Sequence, residues 1–428
     1  MINVCKIMII AGGLVLWVSH LKAQDAPLNI REAYRLARNN YPMIRQQGLI
    51  DKTRDYSVSN ASKGFLPQLT VQGQATYQSA VTEFGLPVAI PGVEFPRISK
   101  DQYKVFGEVN QTIYDGGNVR TQVRSHEAGA LVEARKLEVE LYKLNDRVNQ
   151  LFFGILMLDE QLKQNELLKK DIHLGIRKVQ ALIDNGTAFK SNANTLKAEL
   201  LKADQRAIDL NASRKAYLEM LGLLTGQPLG NSAVLEKPVE LAGTGEVNRP
   251  ELELYDAQNR SLDIQSQLID VRNRPKLNFF FQGGYGRPAL NILSNGFDPY
   301  YITGVRLNWS LSGLYTIKKD RELVRNNRDA ILLQKETFLF NTHLNAKQYH
   351  AELDRFRQLL TTDDELITLR ESIKTTAAAQ LENGVINTND FLREVNAEDQ
   401  ARQNKILHGI QLLMAQYNLD NTLGTTIE

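Results

Sequence analysis

The sequence predicts an α+β membrane protein made of two pseudo-symmetric halves, each with two β-strands and a very long helix. Landmarks repeat along the 428-residue chain, since Pro42 and Pro250, like Pro67 and Pro275, are 208 residues apart. Runs of about ten residues alternate apolar and polar side chains, as transmembrane β-strands do. Two stretches of about seventy residues lack proline, whereas the average helix has roughly 11–12 residues. These three observations predict the fold class.

Composition excludes several classes of protein. The chain is 43% hydrophobic and 23% charged with a mean hydropathy of −0.32, unlike a bundle of apolar membrane helices. Its 51 basic and 49 acidic residues leave no charge excess for nucleic acid. The one cysteine, Cys5, excludes a disulfide framework, and no Walker, GxSxG or HExxH motif is present. We therefore expect no enzyme, no cofactor, no metal site and no nucleic-acid partner.

Residues 1–23 are predicted to be a removable signal peptide. An apolar run from Ile7 to Val18 follows Lys6 and is about half the roughly 20 residues of a membrane-spanning helix. An N-terminal anchor is the alternative reading. Once cleaved, the exported chain would lack cysteine and would carry equal numbers of basic and acidic residues.

The first half, 24–225, is predicted to begin with a helix and continue into strands 66–79 and 102–115. A long helix, 117–184, and a helix, 190–225, follow after a turn at Gly186. The long helix carries a 4-3-4-3 apolar seam typical of coiled coils: Leu137, Leu141, Leu144, Val148, Leu151, Ile155, Leu158 and Leu162. The Gly- and Pro-rich segment 226–246 is expected to be an equatorial linker packed outside the helices.

The second half, 247–428, repeats this order. A helix precedes strands 277–286 and 300–311, and a long helix, 313–383, is followed by a helix, 388–420. Gly384 lies 198 residues after Gly186. In each half, the two shorter helices together match the long one in length, so we expect them to pair with it end to end.

Four strands cannot close a barrel in a membrane. The smallest outer-membrane barrels have eight strands, and lipid does not tolerate open sheet edges. More than one chain must then contribute, and three copies would give twelve strands above twelve long helices. An ordinary soluble hairpin with one buried face is the alternative for the strands.

In this order, the motifs resemble the TolC-like outer membrane efflux protein family over essentially the whole exported chain. They are residues 28–33, Asn39-Asn40-Tyr41-Pro42, Phe65-Leu66-Pro67, Ile113-Tyr114-Asp115-Gly116-Gly117, and the segments from Gly186 to Ala198 and from Gly384 to Leu392. The resemblance implies a homotrimer with a 12-stranded β-barrel, four strands per chain, in outer-membrane lipid. A long α-helical coiled-coil barrel would continue it across the periplasm to a periplasmic adaptor and an inner-membrane pump.

The same resemblance places the functional residues at the far ends of the helices. Adaptor docking is expected at the two turns, with residues Asn185, Gly186, Thr187, Asn383, Gly384 and Val385. The family commonly has acids six and nine residues after the second glycine, and often an arginine two after it. Asp390 fits, whereas Arg393 and Ile386 depart from the pattern, and Asn192 is the first-half counterpart of Asp390. These four residues are the predicted pore gate, with Asp390 facing the lumen near Arg393.

The histidines and one acidic run are expected to be exposed to solvent. The five histidines of the exported chain and the acidic run Asp363-Asp364-Glu365 are expected on exposed helix faces. Strand-end aromatics, including Trp309 and Tyr301, suit either a membrane-interface belt or plain strand propensity. A passive outer-membrane exit duct of a tripartite efflux or type I secretion system is the leading function. A soluble periplasmic coiled-coil adaptor or scaffold is the alternative.

Overall fold

The computed structural model describes residues 27–82, 98–240 and 245–425. The predicted signal peptide and the Gly/Pro loop at 85–92 therefore lie outside the described residues. In chain order, the elements are α1 (Ile30–Asn40), α2 (Gln46–Ser62), β1 (Gln68–Tyr77), β2 (Asp101–Tyr114), α3 (Asn118–Tyr142), α4 (Leu144–Asp184), α5 (Lys190–Thr225), α6 (Pro250–Arg272), β3 (Lys276–Arg287), β4 (Asp298–Asn308), α7 (Ile317–Glu382) and α8 (Thr388–Leu423). No helix within the described ranges has the length and apolarity needed to cross a membrane.

The chain divides into two compact units, each built from several stretches of sequence. Of the described residues, the helical unit comprises 27–37, 148–240 and 359–413. The sheet unit comprises the described residues 38–82, 98–147, 245–358 and 414–425.

The sheet unit contains one antiparallel sheet in the order β1-β2-β3-β4. Among the described residues, β1 and β4 have no further strand beside them, so both edges of the sheet are open. The strand ends differ from the predicted ones by up to three residues. The largest difference is at 309–311, where Trp309 leaves the ladder and its indole Nε1 donates to the Asn273 carbonyl oxygen at 3.0 Å.

The register sorts the side chains of all four strands onto two faces. The apolar face carries Leu69, Val71, Ala75, Tyr77, Tyr103, Val105, Val109, Leu277, Phe279, Phe281, Tyr285, Pro299, Tyr301, Thr303, Val305 and Leu307. Its polar exceptions are Gln111 and, at one end of the sheet, the ion pair of Asp101 with Arg287. The polar face carries Gln68, Thr70, Gln72, Gln74, Thr76, Gln102, Lys104, Phe106, Glu108, Asn110, Thr112, Lys276, Asn278, Phe280, Gln282, Asp298, Tyr300, Ile302, Arg306 and Asn308. In β3, Phe279, Phe281 and Tyr285 are exposed, whereas their polar-face neighbours are partly enclosed.

Helices in the sheet unit follow the same order as the strands. Helix α3 packs between α2 and α6. Ion pairs join α6 to α7, with Asp270–Arg321 at 2.7 Å and Asp256–Lys335 at 3.2 Å. The sequence order of the strands is thus repeated as α2-α3-α6-α7, and among these four helices of the described chain α2 and α7 are the outer two.

The helical unit packs α4 and α5 against the adjoining ends of α7 and α8. Its core includes Ile172, Val179, Leu196, Leu381 and Val395, all almost fully buried. Residues of the predicted linker 226–246 lie against this unit: Leu235 is buried and forms a parallel bridge with Leu28. Arg214 holds the linker with Nη1 on the Asn231 carbonyl oxygen (2.6 Å) and Nη2 on that of Ala233 (2.9 Å). An equatorial position for the linker stays a prediction.

The predicted long helices need two corrections. The stretch 117–184 is broken at Lys143 into α3 and α4, although no proline or glycine lies there. The break coincides with contacts to Asn421: its carbonyl oxygen accepts from Tyr142 Oη (2.8 Å), and its side chain bonds to Asn145 (3.2 Å) and Asp146 (2.5 Å). The stretch 313–383 begins as a 3-10 turn over Ser312–Tyr315, so α7 starts at Ile317.

Candidate functional site

The two helix-ending turns of the helical unit have the same backbone geometry. Gly186 and Gly384 both have positive φ, +76° and +71°, which glycine adopts without the strain of a Cβ. The glycine N–H bonds three residues back and the next N–H five residues back, as in a Schellman motif. These bonds are Gly186 to Ile183 and Thr187 to Leu182, then Gly384 to Leu381 and Val385 to Gln380.

The helices that follow the turns start differently. Asn387 caps α8, because its Oδ1 accepts from the backbone N–H of Asn389 (2.9 Å) and Asp390 (3.0 Å). The matching residue 198 positions earlier is Phe189, whose side chain is 78% exposed and makes no cap. Thr187 Oγ1 instead donates back to the Leu182 carbonyl oxygen at 2.9 Å. The first turn thus presents an aromatic ring to solvent, which the sequence analysis missed.

The structure brings predicted residues of both turns around one cleft of ≈ 410 Å³. Its lining includes Thr187, Asn192, Gly384, Val385, Ile386 and Asp390, and the unpredicted Phe189 and Thr388. The docking candidates Asn185, Gly186 and Asn383 are exposed but do not line it. Ile386 packs against the core cluster, and Thr388 is buried with no partner for its Oγ1 among the described residues.

Asp390 and Arg393 lie one helical turn apart on α8. The Arg393 Nη1 is 3.7 Å from Asp390 Oδ1, and its Nε is 3.1 Å from Glu394 Oε1. Arg393 is largely exposed, Asp390 is partly exposed, and Glu394 is more enclosed and also contacts Arg370. The arginine is thus shared by two carboxylates, of which the sequence analysis named only one.

Ion pairs connect the two hairpins beside the turns. Lys178 of α4 binds Glu382 of α7 at 2.8 Å, and Lys374 of α7 binds Asp171 of α4 at 2.8 Å. Burial lowers the pKa of Lys374, but the hydrogen bonds and charges of Asp171 and Glu398 together outweigh that effect, so its pKa is raised. Neither pair was predicted, because partners about 200 residues apart in sequence leave no local signal.

Further along α8, adjacent buried acids point to different helices. Glu398 pairs with Arg402 and with Lys374 of α7, the latter at 3.4 Å. Asp399 accepts from Gln164 of α4 (3.0 Å) and Gln403 (2.7 Å) and pairs with Arg206 of α5. Burial raises the pKa of Asp399, and the hydrogen bond from Gln164 opposes this.

The prediction that the whole run Asp363-Asp364-Glu365 is solvated is wrong for its first residue. Asp363 is buried, and its Oδ2 lies 2.6 Å from Nδ1 of His408, so neither side chain is a free surface group. Helix α8 covers this face of α7, which the composition of α7 alone does not reveal. Asp364 and Glu365 are exposed as predicted, and Asp364 pairs with Lys405.

Comparisons with known proteins agree with this architecture. Residues 33–227 match the family model described as outer membrane efflux protein. No curated protein matches the chain by sequence. The solved CmeC outer membrane channel of Campylobacter jejuni has a TM-score of 0.64 and 13% identity, covering 92% of this chain and 85% of that one. A membrane protein from Pseudomonas aeruginosa gives 0.67 and 14%, with 92% and 90% covered. The open MtrE outer membrane channel of Neisseria gonorrhoeae gives 0.61 and 12%, with 92% and 88% covered.

The described chain therefore has the fold of the outer-membrane channels. Its residues 33–227 are similar in sequence to the outer membrane efflux protein family. The resemblance is confirmed by the family match over residues 33–227, and the fold class predicted for one chain, long helices with four strands, is confirmed by the structure. The alternative of a soluble coiled-coil adaptor is not supported, because the sheet and the paired helices together match the CmeC and MtrE channels over 85% and 88% of their length.

Proposed function

We propose that this chain forms the outer-membrane exit duct of a tripartite efflux or type I secretion system. One observation carries the proposal: a four-stranded sheet with one apolar and one polar face, open at both edges. An apolar face more exposed than the polar one is costly in water and favourable against lipid tails. The polar face would then line a water-filled lumen.

The open edges require more copies of the chain. An unpaired N–H or C=O group in the hydrocarbon region costs several kcal/mol, and each edge strand presents a row of them. Joining β4 of one copy to β1 of the next satisfies both edges, and three copies close a barrel of twelve strands. The matching edges of the helical layer, α2 and α7, would meet in the same way.

The proposed duct is passive and depends on partners for energy. The turns at Gly186 and Gly384 would dock a periplasmic adaptor, which couples the duct to an inner-membrane pump. Their exposed residues and the cleft between them, with Phe189 at its rim, offer a mixed apolar and polar surface for that contact. Asp390, Arg393, Ile386 and Asn192 would form the gate of the closed pore.

Cysteine labelling in intact cells tests the proposal. Phe281 and Gln282 are neighbours on β3 and point to opposite faces of the sheet. With Cys5 replaced by serine, Gln282→Cys should react with a small charged maleimide from water, whereas Phe281→Cys should stay unreactive until detergent displaces lipid. Both variants should fractionate with the outer membrane.

Each cysteine variant is the control for the other, because the two sites are adjacent on the same strand and meet the same reagent. Equal labelling of both cysteines in cells, or recovery of the protein in a soluble periplasmic fraction, would contradict the outer-membrane duct.

A further inference from the structure

The polar face of the sheet carries few charged side chains, and the basic ones outnumber the acidic ones. In the described strands they are Lys104, Lys276 and Arg306 against Glu108 and Asp298. The remaining positions on this face are mainly amides, hydroxyls, glycines and aromatic rings. Each copy of the sheet therefore carries one excess positive charge on this face.

Of these five charged residues, Arg306 contacts both an aromatic ring and an acid. Its guanidinium carbon lies 4.4 Å from the centre of the Phe280 ring, on the neighbouring strand β3. Beyond that ring, Arg306 Nη1 reaches Glu108 Oε1 on β2 at 3.4 Å. One side chain thus extends from β4 across β3 to β2, and the aromatic face beneath it attracts the cation.

A glycine allows the aromatic ring to lie flat beneath the arginine. Gly304 is paired with Phe280, and a Cβ built there would lie 3.2 Å from the Phe280 ring. The missing side chain leaves room for the ring against the backbone, as when aromatics cover glycines in a sheet. The guanidinium is therefore held in a fixed place, with less conformational freedom to lose when an anion binds.

The two members of the ion pair are not equally accessible. The Arg306 side chain is 44% exposed, whereas that of Glu108 is 16% exposed. The acid is enclosed against the sheet, and the cation stands between it and the open space. A solute passing along this face meets the guanidinium first, and a guanidinium has five N–H donors, of which the contact with Glu108 engages one.

We propose that Arg306 makes the lumen of the barrel favour anionic over cationic solutes. The inference rests on the proposed function, since it needs three copies around one water-filled axis. Three guanidinium groups in one ring, walled by low-dielectric protein and lipid, concentrate anions locally. Lys276 adds positive charge near one end of the strands, whereas at the other end Lys104 lies at the same level of the sheet as Asp298. The solutes favoured are those with carboxylate, sulfonate or phosphate groups, which a guanidinium binds with two parallel hydrogen bonds.

Reversal potentials in planar bilayers under a KCl gradient test the proposal. The wild-type trimer should show a chloride-to-potassium permeability ratio above one. Arg306→Gln should lower this ratio by about twofold or more, and Glu108→Gln should raise it, because the barrier depends on the charge that ions meet in the pore. Arg306→Lys should keep most of the preference, and Thr303→Val, on the apolar face, should leave the ratio unchanged.

A double variant separates exposed charge from net charge. Glu108→Gln with Arg306→Gln leaves the formal charge of the chain unaltered and leaves no unpaired buried acid, so it should fold. It should still lower the chloride preference, because the exposed partner is lost. A double variant with the wild-type ratio, or a single Arg306→Gln with that ratio, would overturn the assignment. Wild-type protein that inserts no conducting channels would instead overturn the proposed function.

Discussion

At the scale of single residues, the adjacent buried acids Glu398 and Asp399 differ in the partners that surround their carboxylates. Glu398 is 2% exposed and pairs with two partly buried cations, Lys374 and Arg402, each of which also has a second acidic partner, Asp171 or Glu371. Asp399 is held mainly by the amides of Gln164 and Gln403 and by a longer contact to Arg206. Its raised pKa means that the surroundings disfavour its charge.

We therefore expect Glu398→Gln to destabilise the helical unit by about 2 kcal/mol, because it removes charge-assisted hydrogen bonds to Lys374 and Arg402, which keep only Asp171 and Glu371 as acidic partners. Asp399→Asn should be nearly neutral at low pH and relatively stabilising at neutral pH. The folded-state pKa of Asp399 lies above its unfolded value of about 4, so its stabilising contribution is present below that value. This contribution is lost as pH rises through the folded-state pKa of Asp399. Asparagine does not titrate, so the variant keeps its stability over the same pH range.

Thermal unfolding of the purified protein in detergent, followed by circular dichroism at about pH 4 and about pH 7, measures the difference. The melting midpoint of Asp399→Asn minus that of the wild type should increase with pH. A loss in Asp399→Asn as large as in Glu398→Gln at pH 7 would show that the charge of Asp399 is itself stabilising.

The sequence did not indicate that Glu398 or Asp399 is buried, and the same reason applies to other buried acids. Whether a carboxylate is buried depends on which helix covers it, and the helices that cover Asp363 and Asp399 are distant in sequence. The turn glycines could be predicted, because a long helix that ends at a residue with positive φ usually has glycine at that one position. Asp390 was identified by spacing from such a glycine, whereas Glu394, which shares Arg393, was not.

At the scale of elements, the same contrast applies to strands and helices. Alternation along each strand is local, so the sheet and its faces could be predicted from the sequence. The break between α3 and α4 could not, because Lys143 and its neighbours are ordinary helix formers and the contacts at the break go to Asn421 of α8. The 198-residue repeat likewise did not predict that Asn387 caps α8 whereas Phe189, at the matching position before α5, makes no cap.

The start of α8 carries the element-scale prediction, which concerns the proposed gate. Arg393 lies between Asp390 and Glu394, and three copies would bring these carboxylates around one axis. Arg393→Asp replaces the shared cation with a third acid, so repulsion should loosen the turn and raise single-channel conductance by about twofold or more. Asp390→Ala should also raise conductance, because it removes one partner of the pair.

Thr195→Asp is the matched control, since it adds an acid at the corresponding position of α5, 198 residues earlier. Its conductance should equal that of the wild type. If neither Asp390→Ala nor Arg393→Asp changes conductance, Asp390 serves only as an acid in the first turn of α8, where it favours the positive end of the helix.

At the scale of the whole molecule, the two open edges of the sheet decide how many chains are needed. Within one chain, β1 and β4 are separated by β2 and β3, so they lie three strand spacings apart, about 14 Å at roughly 4.8 Å each. A disulfide needs Cα atoms about 4.4–6.8 Å apart. Cysteines in β1 and β4 of the same chain therefore cannot join, and any bond between them must link two copies.

With Cys5 replaced by serine, we expect cysteine pairs on the apolar faces of β1 and β4 to cross-link copies in the membrane. Val71→Cys combined in turn with Thr303→Cys and Val305→Cys covers two registers of the proposed contact. Oxidation should give covalent dimers and trimers on denaturing gels. The ladder should stop at three, because a closed ring leaves no free edge. Val71→Cys with Phe281→Cys on β3 should stay monomeric. A ladder that continues beyond three would mean an open assembly, and monomers alone in every pair would remove the β1–β4 contact from the proposed barrel.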